Sequence, residues 1–120
     1  MSSLNSNEII TGFPSRNDFL QLLAGDHPPI IVKFTAPWCA PCKRVDPIVK
    51  PFFKRNSSNM ICCYLDIDEN TDLYAFLKSK KMVRGVPTLL YYDINNHSFN
   101  PTNSISGADI QQVTQFFNSI

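Results

Sequence analysis

Between a β-branched run at Ile30-Ile31-Val32-Lys33-Phe34 and an apolar stripe at Val45, Ile48, Val49, Phe52 and Phe53 stand five residues, Trp38-Cys39-Ala40-Pro41-Cys42. The run suits a strand buried on both faces, with Lys33 as its one anomaly. The stripe follows i, i+3, i+4, i+7, i+8 and predicts a helix with one face on a sheet. The two cysteines therefore fall where a strand gives way to the start of a helix, and that junction constrains this chain more than any other feature.

Unpaired backbone N–H groups and the helix dipole favour a thiolate over a thiol at a helix N-terminus. Cys39 is the expected attacking sulfur. Cys42, about one turn further on, is placed to attack a mixed disulfide from within and release the partner, which makes it the resolving cysteine. Pro41 breaks no intrahelical bond in the first turn, and its fixed φ stiffens the pair. The chemistry expected of this segment is thiol–disulfide exchange.

A length of 120 residues has room for one domain, expected over 8–120, with the polar residues 1–7 as a flexible N-terminus. A net charge of +1 gives no electrostatic reason to expect nucleic acid as a partner. No apolar run approaches the ~20 residues of a membrane span, and the opening lacks the pattern of a signal or transit peptide. A cytoplasmic location is therefore expected, and the triplets Asn56-Ser57-Ser58 and Asn96-His97-Ser98 read as chance matches to a glycosylation signal. In such a compartment a Cys-x-x-Cys reads as redox or metal chemistry.

The remaining elements follow from spacing. Glu8-Ile9-Ile10-Thr11 predicts a short strand, and Ser15-Arg16-Asn17-Asp18 resembles a capping box ahead of Phe19, Leu22 and Leu23, with Pro28-Pro29 closing that helix. Ile61-Cys62-Cys63-Tyr64-Leu65 and Thr88-Leu89-Leu90-Tyr91-Tyr92 predict buried strands, Leu73, Phe76 and Leu77 a helix, and 98–105 an edge strand beyond a turn at 93–96. Ile110, Val113, Phe116 and Phe117 mark a terminal helix. The order βαβαβαββα implies an α/β sandwich, parallel first and ending in an antiparallel hairpin. Pro47 removes the bond to the Lys43 carbonyl and predicts a kink; Pro51 predicts a second break that ends or bends the helix early.

The segment Trp38-Cys39-Ala40-Pro41-Cys42-Lys43, with Pro47 downstream, resembles the active site of the thioredoxin family, whose depressed thiol pKa is a standard case. Leu65-Asp66-Ile67-Asp68-Glu69-Asn70, Gly85-Val86-Pro87-Thr88 and Ser106-Gly107-Ala108 occur in the family's order, so the resemblance runs from about Glu8 to the C-terminus. It implies the thioredoxin fold, a three-layer α/β/α sandwich with a central mixed five-stranded sheet. It also implies a cis bond before Pro87, which packs beside the cysteines, and a Val86 backbone that pairs with an extended substrate. Trp38, Ile67, Val86, Pro87, Gly107 and Ala108 would form the substrate groove around Cys39.

One position departs from the resemblance. The family usually carries a buried acid where this chain has Lys33. One reading lets the lysine stem pack in the strand while its ammonium snorkels to water. The other places a cation near Cys42 that favours thiolates and makes the disulfide more oxidising, or a neutral amine that serves as a base.

Rival readings are weaker. Cys62-Cys63 is not a second Cys-x-x-Cys, which argues against zinc; the two should point to opposite faces of one strand and pack as thiols, with oxidation of the more exposed one the alternative. Asp66, Asp68 and Asn70 resemble the start of a calcium loop, but Thr71 stands where glycine is needed. Lys78, Lys80, Lys81 and Arg84 read as a wet helix end, and His27 and His97 as surface residues.

The expected function is a protein-disulfide reductase acting through Cys39 and Cys42, tuned by Lys33, Pro41 and Pro87. The alternatives are a more oxidising oxidase or isomerase, and a non-catalytic binding module. No bound cofactor or metal is expected; the redox-active disulfide would be recharged by an NADPH-dependent flavin reductase. Partners would be disulfide-containing proteins and that reductase, with the chain a monomer.

Overall fold

The capping box forms as the sequence predicts: Asp18 accepts from the backbone N–H of Ser15, and helix α1 runs Arg16–Ala24 from there. The computed structural model describes residues 8–120, so the expected flexible stretch 1–7 lies outside the described residues. After α1 come strand β1 (Ile30–Thr35), helix α2 (Ala40–Asn56), strand β2 (Ile61–Asp66), helix α3 (Thr71–Ser79), strands β3 (Thr88–Tyr92) and β4 (Asn103–Ser106), and helix α4 (Ile110–Asn118).

The sheet has four strands in the order β2-β1-β3-β4, parallel between β1 and β2 and antiparallel elsewhere. The fifth strand expected at residues 8–11 is reduced to one parallel bridge between Ile10 and Cys63. Its ladder stops because the Phe13 N–H turns to the side chain of Asn70, 2.8 Å away, and Pro14 has no N–H to offer. The edge strand also starts later than expected, at Asn103, because the preceding residues form a turn in which Asn96 donates to the Asn100 carbonyl.

Every residue of β1 is buried, and alternation sends them into two cores. Ile30, Val32 and Phe34 join Phe19 and Leu23 of α1 and Leu73 and Leu77 of α3. Ile31 packs on the other side with Val45, Val49 and Phe53 of α2 and Val113, Phe116 and Phe117 of α4. Each such large side chain contributes roughly 1.5–3 kcal/mol of burial. Helices thus cover both faces, giving the three layers.

Helix α2 does not end at Pro51 but continues to Asn56. Both prolines are exposed and sit four residues apart on one face. The carbonyls they deprive, those of Lys43 and Pro47, belong to exposed residues that water can serve. His27 is another departure: it is buried, with ring nitrogens 2.6 and 2.9 Å from the carbonyl oxygens of Pro28 and Asn96, because the turn after β3 folds over it.

Candidate functional site

Helix α2 opens on Cys39, whose extended backbone (φ −96°, ψ 102°) makes it the N-cap. Its sulfur takes the place of a capping oxygen: Sγ accepts from the Cys42 N–H at 3.1 Å. The Cys39 N–H is held in turn by the Ala36 carbonyl at 3.1 Å. Cys39 and Cys42 form a disulfide with Cα atoms 5.3 Å apart. Cys39 keeps 5% of its surface exposed and Cys42 none, so an incoming sulfur meets Cys39 first. In the reduced pair the same N–H stabilises a Cys39 thiolate by a charge-assisted bond.

Ala36, Cys39 and Cys42 pack with Ile67 and Val86 in one small apolar cluster. Ile67 is fixed there by its N–H on the Thr35 carbonyl at 2.9 Å. The Val86-Pro87 bond is cis, and the Val86 carbonyl oxygen lies 3.8 Å from Cys39 Sγ. Gly107, at φ +101°, donates its N–H to the Pro87 carbonyl at 2.9 Å. Trp38 is 67% exposed and stands over the next loop, its Nε1 donating to Asp68 Oδ2 at 2.9 Å. Ala108 packs with the α2 and α4 core rather than with the cysteines. The expected groove residues therefore divide: Ile67 and Val86 pack with the cysteines, Trp38 precedes Cys39 with its ring exposed, Gly107 holds the carbonyl of Pro87, and Ala108 packs in the other core. Pro41 lies in the first turn of α2, exposed.

Lys33 does not snorkel. Alternation on β1 points it at α2, and its side chain is fully buried. Its Nζ donates to the Cys42 carbonyl at 3.0 Å and forms an ion pair with Asp46 Oδ1. The other Asp46 oxygen accepts from the Tyr64 hydroxyl at 2.8 Å, and Lys50 stands 3.9 Å away. The Tyr64 ring lies 4.9 Å from Nζ, beside the ammonium. Burial lowers the Lys33 pKa, and the hydrogen bond and charge of Asp46 oppose that shift. The cation beneath the cysteines thus has its counter-ion one helical turn past Cys42, and a tuning effect based on an unmatched charge finds no support here. Asp46 and Tyr64 escaped the sequence reading. Asp46 carried a signal, a carboxylate four residues after Cys42; Tyr64 joins only through its register opposite Lys33.

Cys62 and Cys63 occupy opposite cores as free thiols, both fully buried. Burial pushes the Cys62 thiol up to about 12 and raises Cys63 as well. Among the described residues no three His, Cys, Asp or Glu side chains gather as a metal site.

The Thioredoxin family model matches residues 11–118 of this chain. The chain is 31% identical over 84 residues to thioredoxin-2 of Saccharomyces cerevisiae, a match covering 70% of this chain and 76% of the yeast protein. It is 32% identical over 72 residues to a chloroplastic M-type thioredoxin of Pisum sativum, covering 60% of this chain but only 40% of that protein. Among solved structures, Plasmodium falciparum thioredoxin superposes with a TM-score of 0.68 at 24% identity, covering 92% of this chain and 98% of that one.

Proposed function

This chain belongs to the thioredoxin family, and on that premise we propose that it is a protein-disulfide reductase working by dithiol/disulfide exchange through Cys39 and Cys42. The Cys39 thiolate attacks one sulfur of a substrate disulfide; a Cys39–substrate bond forms, the substrate S–S bond breaks, and the other substrate sulfur leaves with the electron pair. Cys42 then attacks Cys39, forming the internal disulfide and releasing the second substrate sulfur. The pair gives up two electrons and the substrate disulfide accepts them.

The observation that carries this reading is the placing of Cys39: capping α2, holding the Cys42 N–H on its sulfur, and opening beside the Val86 carbonyl, where an extended peptide can lie along the chain. The disulfide itself is the redox group. A flavin-dependent reductase drawing on NADPH recharges it, and disulfide-containing proteins meet it as a monomer. A reducing compartment such as the cytoplasm, which returns Cys39 and Cys42 to thiols, suits this chemistry.

Insulin reduction with dithiothreitol as electron source tests the reading. Cys39→Ser should abolish catalysis, and Cys42→Ser should accumulate a mixed disulfide at Cys39. Undiminished turnover by Cys39→Ser would overturn it. Replacing dithiothreitol by NADPH and a flavin-dependent reductase tests the recharging partner.

A further inference from the structure

The resolving step requires Cys42 to lose a proton, yet Cys42 is fully buried. That proton has no direct path to bulk solvent. Two titratable groups stand at its turn of α2. Lys33 donates to the Cys42 carbonyl and to Asp46, so as an ammonium it has no lone pair to offer. Asp46 lies four residues after Cys42 on the same helix face, where Cβ atoms are ~5–6 Å apart, a gap one water spans.

Asp46 also has an outlet. Its side chain is 16% exposed and lines a pocket of about 390 Å³ together with Thr35, Lys43, Lys50, Tyr64 and Asp66. One of its oxygens is held by Lys33 from β1 and the other by Tyr64 from β2. The carboxylate thus faces the turn of Cys42 on one side and solvent on the other.

We propose that Asp46 is the proton acceptor for Cys42 in the resolving step, with Lys33 and Tyr64 as positioning residues that aim its carboxylate. The inference rests on the reductase reading above. The Cys42 S–H proton passes through one water to Asp46, and the thiolate left behind attacks Cys39 of the mixed disulfide. The Cys39–Cys42 bond forms, the Cys39–substrate bond breaks, and the substrate sulfur departs with the electron pair. Asp46 then returns the proton to solvent in the pocket. The charged and titratable groups around this transfer are Lys33, Lys50, Lys43, Tyr64 and Asp66.

Stopped-flow reaction of the reduced protein with dithiobis-nitrobenzoate separates the two steps, since Cys39 attack releases one coloured thiol and Cys42 resolution the second. Asp46→Asn should leave the first phase within about twofold and slow the second by roughly a hundredfold near neutral pH, with recovery as rising pH supplies another base. Asp46→Glu should restore most of the rate. A second phase within about twofold of the unsubstituted protein at every pH would overturn the proposal, as would an equal, pH-independent fall of both phases. Should Asp46→Asn fail to fold around its unpaired lysine, the Lys33→Met, Asp46→Asn double variant removes both charges. A slow, pH-rescued second phase there supports the proposal, and a normal one overturns it. If the unsubstituted protein never released a second thiol, the reductase reading would fall and this assignment with it.

Discussion

The Nζ of Lys33 stands 3.0 Å from the carbonyl oxygen of Cys42, joining the inner strand β1 of the sheet to the first turns of the helix that carries both cysteines. The bond is buried, and Asp46 completes it with an ion pair from one turn further along α2. Strand and helix are therefore locked together by polar groups beneath the disulfide, inside a layer otherwise filled by Ile31, Val45 and Val49.

That lock should show strong coupling. Asp46→Asn leaves a buried ammonium without its carboxylate and is expected to cost about 3 kcal/mol or more. Lys33→Met leaves a carboxylate that still has Tyr64, Lys50 and some solvent, so it should cost less. The double variant should recover most of the loss. Urea denaturation of the four reduced proteins checks this, and simple additivity would show that the pair is not coupled.

Alkaline stability follows from Cys62. Its folded pKa is raised from 9.0 to about 12 by burial, so the folded state holds a proton that the unfolded chain gives up. The contribution is fully present below 9.0 and is lost as pH rises through about 12. Lys33 works in the opposite sense: its pKa is lowered, chiefly by burial, so stability is gained as pH approaches its ordinary 10.5. Urea midpoints from neutral to alkaline pH should fall less steeply in Cys62→Ala and more steeply in Lys33→Met.

Alkylation should be selective. Of the four cysteines in the reduced protein, Cys39 has both surface exposure and a stabilised thiolate, whereas Cys42, Cys62 and Cys63 have no exposed surface. Brief treatment with iodoacetamide under native conditions should add one label, at Cys39 by peptide mass mapping. Equal labelling of Cys62 or Cys63 would contradict the burial.

Gly107 holds the Pro87 carbonyl from a backbone φ of +101°, with open space around its missing Cβ. Gly107→Ala is therefore expected to cost about 1–2 kcal/mol through backbone strain rather than a clash. Thermal unfolding measures that loss, and Km for a disulfide protein should rise with it if the Gly107 bond helps hold the rim of the groove.

The junction of strand, Cys-x-x-Cys and helix was legible because every relation in it is local: a cap, a residue three positions on and an apolar stripe all lie within about five turns of one helix. The strand pattern was legible too, since burial on both faces leaves β-branched runs that few other elements carry. The strand expected at residues 8–11 came out as a single bridge because Asn70, far along the chain, takes the Phe13 N–H. Spacing near residue 10 carries no trace of that competitor.

The sequence by itself determined which sulfur begins a helix, which follows it by a turn and what chemistry that pair can perform, because those properties belong to one short segment. Only the tertiary structure decided what Lys33 does. Its alternation toward α2, its register beside Tyr64 and the arrival of Asp46 over it come from three separate elements. A buried charge takes its state from whichever partners packing brings within hydrogen-bond reach, and in this chain those partners lie 9 to 31 residues away in sequence.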